Sequence, residues 1–135
     1  MATQRITAAF VRTLNQQVTG TAGLVVKPNE LQSALSRPLW KQTYAPDATP
    51  AQLAASLAFG IFQNHPFMDG NKRTAFWTAN EYLKDIRGTG FIAGMPHNTS
   101  SEWAMQVIHS AHADVATGAM DEAGLSEVYE QALKR

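Results

Sequence analysis

The chain has no cysteine, which excludes disulfides and thiol catalysis. That fits a reducing compartment, and a cytoplasmic location is the expectation. There is no net formal charge, because 11 Lys and Arg balance 11 Asp and Glu. A neutral chain has no general attraction for nucleic acid or an anionic membrane. Neither is expected as a partner, and any anion site must be built locally. No apolar run approaches the roughly 20 residues of a membrane span. The N-terminal stretch MATQRITAAFVRTL lacks the continuous apolar region of a secretory signal. It also lacks acids as far as Glu30 and carries Arg5 and Arg12, as organellar presequences do. The helical spacing of Ile6, Phe10, Val11 and Leu14 favours an ordinary first helix instead. Internal repeats and low-complexity segments are absent too.

What remains is a chain of 135 residues, 44% apolar. That is enough to build one core without staples, so a single domain over 1–135 is expected. The pattern is all helical. A first helix runs to about Val18 and stops before Gly20 and Gly23, and Leu24-Val25-Val26 reads as a short extended piece. Asn29 is placed to cap a second helix, with Gln32 answering three residues later, and Pro38 should end that helix near Arg37. Residues 38–48 (PLWKQTYAPDA) then form the longest irregular stretch of the first half. Thr49-Pro50-Ala51-Gln52 is a strong helix start, with an N-cap hydroxyl, proline at the first helical position and glutamine at the third. The helix that follows is largely apolar and belongs at the centre of the core. It should end at His65, because Pro66 biases the preceding residue away from α geometry. A fourth helix is expected from Gly70 or Asn71 to about Ile86, with Gly88 beyond its end. Thr99 with Glu102 predicts a capping box opening a fifth helix to about Thr117, and a sixth covers roughly 121–134.

The chemistry concentrates in residues 64–76, NHPFMDGNKRTAF. A helix ends, a tight loop turns and another helix starts. The start of that second helix exposes unpaired N–H groups and the positive end of a dipole. Gly70 lets a ligand approach the backbone, and such a nest binds phosphate oxygens. Lys72 and Arg73 add positive charge where the dipole disfavours it, which argues for a bound anion. Asn71 can both donate and accept. An acid beside that nest repels phosphate unless a divalent cation bridges them, so Asp69 points to Mg²⁺. Histidine can take a proton from an attacking hydroxyl near neutral pH, which is the role expected of His65. Phe67 is a structural plug. Together these parts describe transfer of a phosphate-containing group to a hydroxyl.

His65-Pro66-Phe67-Met68-Asp69-Gly70-Asn71-Lys72-Arg73 resembles the signature of the Fic/Doc superfamily: histidine, any residue, phenylalanine, any residue, acid, glycine or alanine, asparagine, glycine or lysine, arginine. ELQSALSRPLW at 30–40, the apolar helix before the motif and TAFWTANEYL after it are similar to Doc-type (death-on-curing) toxin domains in order and spacing. The resemblance implies an all-α fold with the signature loop between two central helices. It implies His65 as general base, Asp69 as Mg²⁺ ligand, and Gly70, Asn71, Lys72 and Arg73 as the phosphate holders of ATP. Residues 38–48 fall where the family carries its target-aligning flap, which makes Trp40, Lys41 and Tyr44 candidates for contact with a protein substrate.

AMP-transferring members of the family usually have glycine where this chain has Lys72, and a second arginine where it has Phe76. Doc-type proteins have lysine at the first of these places and deliver the terminal phosphate of ATP. The resemblance therefore implies a phosphotransferase acting on a Ser, Thr or Tyr hydroxyl, with the translation machinery as the target class. AMP transfer is the alternative. Gly70 does not separate the branches, because Doc has alanine there and many Doc-like sequences have glycine. No glutamate (30, 81, 102, 122, 127, 130) is followed by Gly or Asn, as the family's built-in inhibitory helix requires, so a separate antitoxin is implied. Two other readings compete: a non-catalytic Fic-fold interaction module, and a metal-dependent hydrolase. The first has no need for His65 or Asp69, and the second lacks a ligand cluster. His109 and His112, with Asp114 nearby, read as surface or packing residues, and Trp77, Tyr82, Trp103 and Tyr129 as core. Oligomeric state is not legible.

Overall fold

The computed structural model describes residues 5–91 and 102–134. Six α-helices occur among them: α1 Ala8–Thr19, α2 Pro28–Tyr44, α3 Pro50–Asn64, α4 Asn71–Arg87, α5 Glu102–Ala116 and α6 Glu122–Leu133. The described residues hold no strand beyond an isolated antiparallel bridge between Val25 and Phe67. The fold is all-α, as expected.

α3 lies at the centre because it is apolar nearly all round, and such a helix can only be buried. Its residues from Leu53 to Ala58 are all buried, as are Gly60, Ile61 and Phe62. It packs against α2, α4 and α6. The α2–α3 crossing is close. A Cβ on Gly60 would sit 2.3 Å from Arg37 Cδ and 3.1 Å from the Ala34 Cα, so only glycine lets the two backbones approach this far. The capping box at the start of α3 forms as expected: Thr49 Oγ1 accepts from the Gln52 N–H at 3.1 Å, and Gln52 Oε1 accepts from the Thr49 N–H at 2.9 Å. The same hydroxyl donates to Glu130 of α6 at 2.9 Å, tying the helix start to its neighbour. Gly20 and Gly88 close α1 and α4 in the left-handed conformation. The capping box expected at Thr99 lies outside the described residues, as do the side chains of Trp103 and His109. Trp77, Tyr82 and Tyr129 are core residues.

The second helix differs from expectation at both ends. It starts at Pro28 and has no side-chain cap, so Asn29 is inside the helix. It does not stop near Arg37 but continues through Pro38 to Tyr44. The irregular stretch shrinks to residues 45–49, and Trp40, Lys41 and Tyr44 stand on the last turns of α2 instead of on a loop. Proline inside a helix removes a ladder bond and costs about 3 kcal/mol by propensity. Tertiary contacts outweigh that here. Pro38 is itself buried. Arg37 on one side donates to the Ser56 carbonyl of α3 at 2.9 Å and pairs with Glu122 of α6. Lys41, one turn on, binds the other oxygen of Glu122 at 2.8 Å.

Glu122 is therefore the bolt between α2 and α6. Burial alone would raise its pKa, but the hydrogen bonds and charges of Lys41 and Arg37 outweigh burial and hold the carboxyl below its ordinary range. A depressed carboxylate contributes stability above its unfolded pKa and loses it as pH falls through the folded one. Glu122→Gln should lower stability at pH 7 by about 1 kcal/mol after solvent screening of this part-exposed cluster. The gap from wild type should close in denaturant titrations as pH falls through that depressed range. A gap that persists undiminished at acid pH would mean that the carboxylate charge is not what holds the helices together.

Candidate active site

The loop between α3 and α4 begins at His65, the C-cap of α3, whose N–H bonds to the Ile61 carbonyl at 3.1 Å. The helix ends where Pro66 predicts, but His65 is left-handed (φ 47°, ψ 57°) and not extended. Histidine is among the non-glycine residues that enter this region most readily, and it persists there only where the surroundings over-determine it. They do so here. The Pro66 carbonyl accepts from the N–H groups of both Val26 (2.8 Å) and Lys27 (3.1 Å), and the Met68 N–H donates to Leu24 O at 3.0 Å. The extended 24–26 piece is thus a rail along which the loop is fixed. The imidazole of His65 is exposed, with its ring at an edge to Phe62, 6.1 Å between centroids.

Further along, Phe67 is buried as the plug it was expected to be. The Asn71 side chain closes a two-way clip on Phe67: its Oδ1 accepts from the Phe67 N–H at 3.0 Å, and its Nδ2 donates to the Phe67 carbonyl at 2.8 Å. In this structure both ends of the Asn71 amide hold the loop, and its backbone N–H is unpaired among the described residues. Gly70 is left-handed at φ 75°, and a Cβ on it would meet Thr19 Cγ2 at 2.2 Å. From α1, the fully buried Asn15 donates through Nδ2 to the Asp69 carbonyl at 2.8 Å and to Thr74 Oγ1 at 3.0 Å.

The first backbone bond of α4 runs from the Thr74 N–H to Gly70 O at 2.9 Å. The N–H groups of Asn71, Lys72 and Arg73 are unpaired among the described residues, as a helix start requires. Arg73 is exposed and Lys72 half-buried, and among the described residues neither has an acidic partner. Asp69 is exposed, and its Oδ1 accepts from the Gly70 N–H at 2.8 Å. The rest of its carboxylate has no partner among the described residues, which fits a Mg²⁺ ligand. That ion is held by one or two carboxylates plus substrate oxygens and water, so the lack of a larger acid and histidine cluster among the described residues is compatible with it. On α2, Trp40 and Tyr44 are 67% and 73% exposed, whereas the Lys41 amine is engaged by Glu122.

Sequence reasoning missed the supports. Asn15 stands one turn after Val11 on the apolar face of α1, and a polar residue in that position is the signal that could have been read. Thr19 carries no such signal, and the extended reading of Leu24-Val25-Val26 gave no hint of its partner, because both partners are far away in sequence. His112, taken as surface or packing, is fully buried and polar-bonded: Nδ1 lies 3.2 Å from the Lys72 carbonyl and Nε2 3.0 Å from the Tyr129 hydroxyl.

On this loop, helix-start N–H groups that are unpaired among the described residues stand beside two cations, one acid and an exposed histidine. Residues 5–83 match the Fic/DOC family, which is more than half of the chain, and the chain belongs to that family. Comparison with curated proteins and with solved structures gave no match. Proteins of this family transfer nucleotide-derived groups to other proteins and typically use ATP and Mg²⁺. No helix of the described residues is long and apolar enough to cross a membrane.

The packing of Thr19 on Gly70 makes a specific prediction. Gly70→Ala should destabilise the protein by about 1–2 kcal/mol from the left-handed backbone alone, and by more from the methyl clash. Thr19→Ser removes the clashing methyl, so the double variant should recover part of the loss in thermal melts. A double variant no more stable than Gly70→Ala would place the strain elsewhere.

Proposed function

We propose that this chain transfers the terminal phosphate of Mg·ATP to a Ser, Thr or Tyr hydroxyl of a protein, in the manner of Doc-type domains. The observation that carries the donor assignment is the pair Lys72 and Phe76. Lys72 places charge at the start of α4 where AMP-transferring relatives leave room. Phe76 is fully buried, stacked with Phe91 at 5.4 Å and edge-on to Trp77 at 5.2 Å. The position that holds a second phosphate clamp in those relatives is given over to the core.

In this reading His65 accepts the proton of the target hydroxyl as its oxygen attacks the γ-phosphorus. The bond from that phosphorus to the bridging oxygen breaks, and ADP leaves with the electron pair. Arg73, Lys72 and the N–H groups of residues 71–73 hold the phosphate oxygens and stabilise the charge that spreads over them. When bound, Mg²⁺ supplies neutralisation of phosphate charge, and Asp69 is the residue that would hold it. The rigid loop keeps these groups in place, which matters because positioning supplies most of the catalysis in such transfers. Trp40 and Tyr44, fixed on α2, would meet the protein substrate. A separate antitoxin, whose helix covers the groove, fits the lack of a Glu-Gly or Glu-Asn inhibitory motif in the sequence.

The test compares ATP labelled at the α- and γ-phosphates on cell extract, with His65→Ala as control. Label from the γ position alone, on a discrete band, is expected, and the band identifies the target. Label from the α position would make the chain an AMP transferase. His65→Ala should lower transfer by about 10²- to 10⁴-fold with ATP affinity retained, and wild-type transfer by that variant would remove His65 as base. Lys72→Gly should shift labelling toward the α-phosphate, and an unchanged ratio would show that Lys72 does not set the donor orientation.

A further inference from the structure

The part of the chain beyond the family match reaches back into the site. His112 lies on α5 and Tyr129 on α6, both outside residues 5–83. His112 is fully buried, with the rings of Phe62 and Phe76 edge-on to it at 5.7 and 6.2 Å. Its only two polar neighbours among the described residues are the Lys72 carbonyl and the Tyr129 hydroxyl. Those partners fix its tautomer. A carbonyl can only accept, so Nδ1 carries the hydrogen and donates to Lys72. Nε2 is then the acceptor, and the Tyr129 hydroxyl donates to it. Burial pushes the imidazole pKa down to about 4, so this neutral form is present at working pH. Tyr129 is itself fully buried, and burial raises its phenol pKa, so the donor stays protonated.

Lys72 is the second residue of α4, in the turn whose N–H groups face the ligand. We propose that His112, oriented by Tyr129, is a positioning residue that fixes this turn for phosphate binding through the Lys72 backbone. The proposal rests on the reading of that turn as the phosphate site. It makes the C-terminal helices part of the site's support, because a hydrogen bond to a backbone carbonyl restrains the whole first turn, including the N–H groups of Asn71 and Arg73.

The experiment measures ATP binding with Mg²⁺ by calorimetry, alongside thermal melts, for wild type, His112→Leu, His112→Asn and Tyr129→Phe. Asparagine can place a donor where Nδ1 stands, while leucine cannot. Both lose the bond to Tyr129, so their difference isolates the bond to Lys72. His112→Leu is expected to weaken ATP binding about five- to tenfold, the effect of one lost hydrogen bond, with His112→Asn within about twofold of wild type and the two melting together. Equal affinities in the Leu and Asn variants would overturn the proposal, and so would a fall in melting temperature with affinity unchanged. Should His112→Leu fail to fold, Tyr129→Phe decides: weaker ATP binding by a folded protein supports the proposal, and unchanged binding overturns it. Wild type that binds no ATP would overturn the phosphate reading and this proposal together, whereas binding by wild type and all variants alike would overturn this proposal alone.

Discussion

A loop that offers its N–H groups to a ligand cannot use them to hold itself in shape. The N–H groups of Asn71, Lys72 and Arg73 stay unpaired among the described residues, so every restraint on residues 65–70 must come from other atoms. Four sources supply it. The Asn71 side chain clips Phe67 from both sides. Asn15 holds the Asp69 carbonyl from α1. The 24–27 rail donates two N–H groups to Pro66 O and accepts from Met68. Phe67 is driven into the core by its apolar surface. The left-handed backbones of His65 and Gly70 are sustainable only because these restraints act together.

This constraint explains why so many elements converge on a short motif. α3 delivers His65 and α4 delivers the N–H groups, but neither fixes the turn between them. α1 packs so closely that Thr19 leaves no room for a side chain on Gly70. α5 reaches the turn through His112, which Tyr129 of α6 backs in turn. Buried polar groups of this kind must be satisfied or they destabilise the fold. Each bond therefore links the stability of the bundle to the geometry of the loop. Loss of a support need not unfold the chain to impair it, since a turn loosened by about 1 Å is enough to disturb transfer chemistry.

The same distinction separates what was legible in the sequence from what was not. Most local signals were read correctly, the Asn29 cap of the second helix being an exception. The capping box at Thr49, the stop before Pro66 and the glycines at 20 and 88 all depend on residues within one turn of each other. The signature loop was legible because its chemistry is consecutive. Pro38 was misread because a helix-breaking propensity competes with burial, and the decisive contacts, Arg37 and Lys41 on Glu122, lie more than eighty residues away. Asn15 was not singled out, and the packing reading of His112 held without its polar partners, for the same reason. A polar residue at helical spacing looks like a surface residue until its distant partner is known. The extended 24–26 piece was seen, but its pairing with Phe67 depends on a turn brought to it by two other helices.

The donor assignment also returns to packing. Arg73 is exposed while Phe76, less than one turn further, is wholly buried. The helix therefore turns the exposed side that carries Arg73 away before it reaches position 76. That ring rests against Trp77, Phe91 and His112. An arginine there would have to leave this aromatic cluster or bury an unpaired guanidinium within it, and an uncompensated buried charge costs several kcal/mol. On the proposed reading, the packing around Phe76, and not only the identity of one residue, works against a second phosphate clamp there. Placing an arginine at 76 would require repacking around His112, whose ring lies beside Phe76 and whose Nδ1 bonds the Lys72 carbonyl. Core packing around Phe76 and one support of the first turn of α4 thus share a single cluster of side chains.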